Sequence, residues 1–515
     1  MIFDVFTRSG QETSRTGLQR FEPVFVLLIT VVAAVIRWFG IHRSLWVDEL
    51  GTSWVVRDGF SEIFPRSVLN NLSPLYYVLV WISDRVWGYN EVGLRFPSFA
   101  AGVLLVPGVY FVARSLSGSR TAAILSATIA AFDPTASHYS IEARPYALIQ
   151  LFALLNIVLF IHYDRRRSLF AALMLFMNAA LLFYLHYTSA LFILVDGLLL
   201  VLSWIRGPLP SRKELGALVI AGAAFAVSII PAMTRIAYLL SNKGALAVHL
   251  TIPSFTDSLT RFNVSLYVIA FPILALLVSF IFEKHSDELR HPGEQGRNFR
   301  DNATRLALWG FVPSVLVYLF AKLGLVNITL DRYVISSSVA SMLIPSLLLV
   351  SLCFGVARQI TTAIVAMVML MISMSFLRNV DNEKVGYRDC RSLVTQVNAT
   401  VPSDLPVYVV CGLAESVMLA HSDDPLLRDY LLCIVNSAYP LRPDLLARAK
   451  PIASVDSLTP QVKGSFLYIG PYTDLAKLRH KASSAEGTGE QEPELEVFFP
   501  DQAAGANYVA VRVEY

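Results

Sequence analysis

The sequence predicts a polytopic α-helical membrane protein that ends in a small α/β domain. Three observations predict it. Hydrophobic residues make up 55% of the 515 and charged residues only 16%, where a soluble globular chain carries about 25% charge. Mean hydropathy is +0.55 over the whole length. Apolar runs of roughly 18–22 residues, long enough to cross a bilayer core as helices, recur as far as residue 377 and then stop. Together these exclude an ordinary cytosolic protein and a disordered chain.

Residues 1–21 are read as a polar N-terminal segment. Spans are predicted at 22–41, 94–113, 121–138, 146–162, 168–185, 188–204, 215–238, 264–282, 305–322, 333–353 and 359–377, about eleven in all. The first lies too deep in the chain for a cleaved signal peptide, and no small-residue cleavage site follows it. Its Arg37 is near one end, where a long side chain is expected to snorkel. Residues 74–88 (PLYYVLVWISDRVWG) are apolar but short. About 14 helical residues reach roughly 21 Å, below the ~30 Å core, so this segment is read as juxtamembrane, in the first outside loop, 38–93.

Charge sets the sides. With an inside N-terminus and eleven spans, the inside loops hold 17 Lys+Arg and the longer outside loops 12. The clusters Arg165-Arg166-Arg167 and Arg206…Arg212-Lys213 then face in, as the positive-inside rule asks. Were 74–88 to span, both would face out.

Residues 379–515 are read as an extracytoplasmic α/β domain. Residues 387–400 have helical spacing, 405–412 and 465–470 read as short buried strands, 472–484 as a helix, 485–494 as a polar loop, and the end as a strand pair. From Arg378 on the chain holds 13 Lys+Arg and 18 Asp+Glu. Cys390, Cys411 and Cys433 fall here. In an oxidising compartment one disulfide is open to them, with buried thiols the alternative and no pairing legible.

On this topology the notable polar residues share the outside face. Asp48 and Glu49 follow the first span, Glu142 and Arg144 the third, His186 and Tyr187 the fifth; Lys243 and His249 lie in the 239–263 loop, and Asp331 and Arg332 precede the tenth span. Acidic residues at a membrane surface ask for a reason. Asp48 reads either as the cap of a short helix, with Glu49 in its first turn, or as a general base or metal-binding carboxylate. Glu142 and Arg144, before Pro145, read either as a local ion pair closing a turn or as a carboxylate beside a phosphate-binding guanidinium. His186 and Arg332 have plain readings as well, interfacial packing and an anchor beside Tyr333. There is no G-x-x-x-x-G-K-[ST], H-E-x-x-H, C-x-x-C or G-x-S-x-G, so ATP-driven work and zincin-like proteolysis are unsupported. Nothing points to nucleic acid.

The ordered segments LWVDE, SPLYYVLVW, NEVGLRFPS, YSIEARPYAL, LHYTS and DRYV resemble the bacterial family-39-type glycosyltransferases, over about residues 22–350. GYRDCRSLV followed by PSDLPVYVV is similar to the start of the extracytoplasmic domain that many of them carry. The family comprises GT-C fold enzymes related to protein O-mannosyltransferases, aminoarabinose transferases and Rgt-like transferases. The resemblance implies a polyprenyl-phosphate sugar as donor and a glycan, glycolipid or protein as acceptor. It implies a multi-pass protein of the bacterial inner membrane with its site and C-terminal domain outside. Asp48, Glu49 and Glu142 are then the catalytic candidates, with a divalent ion on Asp48 and Glu142 a further expectation. Arg144, Tyr146, Arg332, Tyr333 and Arg95 are candidates for the lipid phosphate or donor, and His186, Tyr187, Tyr76, Asn71 and Lys243 for the site lining. The chain departs from the usual motif at Ser73, where a proline commonly precedes Pro74, and at Asn70 and Asn71, where some relatives place acidic or histidine residues. Two other readings compete: a polyprenyl-lipid flippase without transfer chemistry, and a membrane anchor for a working C-terminal domain.

Overall fold

The computed structural model describes residues 21–70, 73–241, 254, 266–282, 294–325, 329–352, 355–382, 389–411, 423–458, 465–484, 494–498 and 508–514. Asn71, Lys243 and His249 lie outside the described residues, as does most of the 485–494 loop. The chain divides into two compact units. One holds 1–39, 98–141 and 145–375; the other holds 40–97, 142–144 and 376–515.

The first unit is a helical bundle. Among the described residues, eight helices of the chain are long and apolar enough to cross a membrane: Glu22–Ile41, Glu91–Ser117, Tyr146–Arg166, Tyr187–Arg206, Arg212–Met233, Asp301–Lys322, Asp331–Leu352 and Val356–Ser375. Arg120–Phe132, Leu169–Leu185 and Leu266–Phe282 are shorter apolar helices at three further predicted positions. The chain is thus a multi-pass membrane protein. Val24, Phe25, Leu27, Leu28 and Val31 of the first helix are exposed, an apolar face suited to lipid rather than water.

Buried polar groups join the helices where hydrocarbon offers no alternative partner. Asp196 accepts hydrogen bonds from Asn156 Nδ2 at 2.8 Å and from Trp309 Nε1 at 2.8 Å, tying three helices together. Gln150 donates to Ser338 Oγ at 2.8 Å. At the helix ends, Arg305 pairs with Asp164 at 2.6 Å.

Two predictions about this unit are corrected. The run 121–138 is not one helix. It ends at Phe132; Asp133 then accepts a hydrogen bond from Ala136 N at 2.7 Å, and Pro134 opens a second helix, Pro134–Ser140. An acidic cap followed by proline at the first helical position is a restart signal, and it overrides the apolar run. Nor does Arg37 snorkel. Its side chain is fully buried and donates to the carbonyls of Ala130 at 3.1 Å, Ala131 at 3.0 Å and Ala33 at 3.1 Å, and to Ser140 Oγ at 3.2 Å. It thereby satisfies carbonyls that the interrupted helix leaves without intrahelical partners.

The second unit differs from the domain division read in the sequence. The first loop does not fold as an appendage of the spans. Residues 40–97 and 142–144 form one unit with the C-terminal segment. Three short helices make up the loop: Val47–Val56, Ile63–Leu69 and Pro74–Trp87. The last has 14 residues and begins under a Ser73 cap, with Pro74 at its start. Its 14 residues agree with the juxtamembrane reading.

Among the described residues, the C-terminal segment forms a five-stranded mixed sheet in the order β2-β1-β3-β5-β4. The strands are β1 (Val407–Val409), β2 (Ala449–Pro451), β3 (Phe466–Pro471), β4 (Glu494–Phe498) and β5 (Tyr508–Glu514). β1 pairs in parallel with β2 (Val407↔Ala449) and β3 (Val407↔Leu467); β5 runs antiparallel to β3 (Tyr468↔Val511) and β4 (Val497↔Val511). The predicted helices, central strands and terminal pair are present. β2 and the short helices Pro425–Tyr430, Cys433–Asn436 and Pro443–Leu446 were not foreseen, being too short for periodicity to mark.

Candidate active site

The site begins where Trp46 ends the extended chain and helix Val47–Val56 starts. Asp48 does not cap this helix. Glu49 reaches back instead, its Oε2 accepting from Trp46 N at 3.2 Å. The same carboxylate meets the Arg95 guanidinium in a bidentate pair, Nε to Oε1 at 2.7 Å and Nη2 to Oε2 at 2.6 Å. Glu49 Oε1 also accepts from Ala143 N at 2.7 Å. Arg95 spends its remaining donors on the carbonyls of Ile41 (3.0 Å), Arg43 (2.6 Å) and Ser44 (3.1 Å). The two side chains are 1% and 4% exposed.

This geometry decides what the two residues do. A guanidinium has five N–H donors. All five of Arg95's are engaged, so none remains for a lipid phosphate, and Arg95 is withdrawn from the donor-binding candidates. Both Glu49 oxygens accept two bonds each, so its carboxylate is fully engaged in holding the structure. The pair is a clasp. It holds the 41–46 turn, the start of the Asp48 helix and the 142–144 segment in one place.

The clasp leaves Asp48 and Arg144 beside each other. Arg144 Nη2 is 4.0 Å from Asp48 Oδ2, and Nη1 is 3.5 Å from the Asp48 carbonyl. The Asp48 side chain is 16% exposed and that of Arg144 10%. Glu142 is buried, and its carbonyl accepts from Arg144 N at 2.8 Å, which closes the turn between them. The donor set does not suit a divalent ion: Glu49 is consumed, a guanidinium stands beside Asp48, and among the described residues no three His, Cys, Asp or Glu side chains gather. Tyr76 is fully buried, its ring 6.1 Å from that of Tyr77.

The far end of the Asp48 helix is held by residues from the C-terminal segment that the sequence reading did not single out. Trp54 Nε1 donates to Asp429 Oδ2 at 2.7 Å; Arg57 reaches the same oxygen at 3.2 Å and the Asn436 carbonyl at 2.7 Å. Tyr430 donates to Asn70 Oδ1 at 3.1 Å, and its ring lies 5.0 Å from that of Trp54. Near the clasp, Tyr439 accepts from Leu45 N at 2.8 Å and donates to Glu91 at 2.7 Å, and Arg391 pairs with Glu91 at 2.6 Å. Burial and the Glu91 carboxylate push the Tyr439 phenol well above its usual range, so it stays a donor. These pairings cross 300 positions or more, and no local pattern announces them.

In the helical bundle, four predicted residues come together. The Tyr146 ring lies 6.2 Å from His186, His186 lies 5.4 Å from Tyr333, and the Arg332 guanidinium sits 5.7 Å from the Tyr333 ring centre. Tyr139, not foreseen, extends the group at 4.8 Å from Tyr146. His186 Nδ1 is fixed by Thr188, with N at 3.3 Å and Oγ1 at 2.7 Å. Tyr187 packs elsewhere, its ring 5.4 Å from that of Phe183.

Residues 71–230 match the family model described as dolichyl-phosphate-mannose-protein mannosyltransferase. The structure is similar to ArnT from Cupriavidus metallidurans in the apo state, with a TM-score of 0.54, 13% identity, and coverage of 95% of this chain and 98% of ArnT. Against the same protein bound to undecaprenyl phosphate the TM-score is 0.51 at 15% identity, with the same coverage. At these identities the likeness is one of fold. An uncharacterized protein of Aquifex aeolicus (strain VF5) is 25% identical over 148 residues, which span 29% of this chain and 30% of that relative.

Proposed function

We propose that the protein is a membrane glycosyltransferase that moves a sugar from a polyprenyl phosphate to an acceptor hydroxyl on the extracytoplasmic side of the bacterial inner membrane. The observation that carries the reading is Asp48 and Arg144 side by side on a buried clasp, within a GT-C fold. A base next to a phosphate-binding cation is what the transfer needs. Asp48 takes the proton of the acceptor hydroxyl as the oxygen bonds to the anomeric carbon. The bond from that carbon to the phosphate oxygen breaks in the same displacement, the anomeric centre inverts, and polyprenyl phosphate leaves. Arg144 meets the charge growing on the phosphate with its planar fork. Arg332, Tyr333, His186 and Tyr146 gather within the bundle itself, and the resemblance implies a donor-binding role for them. Buried Glu142 shapes the turn that presents Arg144. The likeness to ArnT bound to undecaprenyl phosphate supports the lipid carrier, and the match to a dolichyl-phosphate-mannose family supports sugar transfer. Basic inside loops support the side.

Mass spectrometry of envelope glycans from a deletion strain tests this, one missing sugar naming donor and acceptor. Re-expressed wild type is expected to restore it, and Asp48→Asn at equal level to restore at least about 100-fold less, the usual share of a general base. Full restoration by Asp48→Asn sinks the base assignment. A flippase would move a polyprenyl-phosphate sugar across liposomes without releasing the sugar from its carrier.

A further inference from the structure

Three buried thiols lie in the second unit: Cys390, Cys411 and Cys433. Cys411 follows β1 by two residues, and Cys433 opens helix Cys433–Asn436. Their sulfurs are 3.5 Å apart. A disulfide needs about 2.05 Å, so the two sulfurs are in contact and short of a bond by about 1.5 Å. Cys390 opens helix Cys390–Thr400. Burial pushes its thiol up to about 12, with the Asp389 carboxylate and the neighbouring Cys433 adding to the effect. The thiolate is the species that attacks a disulfide, so Cys390 is a poor competitor for the bond.

We propose that Cys411 and Cys433 form a disulfide in the extracytoplasmic compartment and that Cys390 stays a thiol. The compartment rests on the side assignment above; the pairing does not. One thiolate attacks glutathione disulfide; its S–S bond breaks, a mixed disulfide forms and one glutathione thiol is released. The second thiolate then displaces the other half. One S–S bond forms, two S–H bonds are lost, and the oxidant takes up two electrons and two protons. The bond closes a 22-residue separation and ties β1 to helix Cys433–Asn436. That helix packs against Val47–Val56, the helix that carries Asp48, and its Asn436 holds both Asp429 and Arg57. The disulfide therefore braces the base-bearing helix against the sheet.

The test uses the full chain in detergent, equilibrated in reduced and oxidised glutathione, acid-quenched, unfolded and alkylated. Trypsin separates Cys411 from Cys433 at Arg428, so a linked peptide pair is unambiguous. Expected are linked 392–428 and 429–448 peptides that part on reduction, with Cys390 alkylated. Alkylation of both Cys411 and Cys433, or a link through Cys390, overturns the pairing. Cys390→Ser is expected to keep the link, which makes the pairing testable even where Cys433→Ser fails to fold. Protease digestion of intact spheroplasts tests the side separately. A cut C-terminal segment with both thiols alkylated in material trapped from the membrane refutes the disulfide alone. A protected segment with the link formed in glutathione refutes the compartment alone.

Discussion

Glu49 and Asp48 are adjacent carboxylates with different work. Glu49 sits in a buried bidentate pair at 2.6 Å, whereas Asp48 is partly exposed and 4.0 Å from its arginine. Removing one partner of a buried pair leaves an uncompensated charge and costs about 3–5 kcal/mol. Glu49→Gln is therefore expected to lower the unfolding temperature in detergent by several degrees, and Asp48→Asn to leave it unchanged while abolishing transfer. Equal melting temperatures for all three proteins would show that the clasp is not structural. The sequence set Asp48 forward as the base and left Glu49 to shape the site or bind a metal, because spacing marks a D-E pair but not which acid meets a distant arginine. Arg95 read as a phosphate contact for the same reason. Its five acceptors lie on residues 46–54 positions away, and nothing around it signals them.

At the scale of elements, the break after Phe132 depends on close packing among Arg37, Gly102 and Ser140. A Cβ on Gly102 would stand 1.9 Å from Ser140 Oγ and 2.6 Å from its Cβ, so helix Glu91–Ser117 approaches Pro134–Ser140 only because residue 102 is glycine. Gly102→Ala must force the helices apart, and overpacking of this kind costs about 1–3 kcal/mol. Gly197 lies in helix Ala190–Arg206 with nothing within 4 Å of the added carbon. Gly197→Ala is expected to be neutral or to stabilise by up to ~1 kcal/mol, since alanine is the better helix former. Thermal unfolding of the two variants checks both, and a Gly102→Ala protein as stable as wild type would mean the helices can separate freely. The restart itself was legible, as Asp133 and Pro134 stand in the cap and first-turn positions. Hydropathy hid it, because an apolar window averages over two residues.

At the scale of the molecule, the unit that carries Asp48 is assembled from three separate stretches of chain. Its C-terminal part supplies Tyr439, Arg391 and Asp429 to the first loop. Deleting 379–515 is therefore expected to do more than narrow the acceptor range. It should abolish transfer and open residues 40–97 to limited proteolysis of the full-length and truncated proteins compared side by side. A truncated protein whose loop resists protease as wild type does would restore the picture of an independent C-terminal domain. The membrane-anchor reading is disfavoured on the same ground, since the C-terminal segment is part of the structure that holds the candidate base.

The sequence by itself determined the class of architecture. Apolar runs, basic clusters and six ordered motifs are local or one-dimensional properties, and solvent transfer acts on them residue by residue. It also placed Asp48, Arg144, Tyr146, His186, Arg332 and Tyr333 among the candidates. Only the tertiary structure decided that Glu49 and Arg95 are a clasp, that Arg37 serves an interrupted helix, and that the C-terminal segment folds with the first loop. Each of these depends on where a buried charge finds its partner. Burial makes such pairing obligatory, but the partner comes from any distance along the chain, so the choice is written in three dimensions and not in the local pattern.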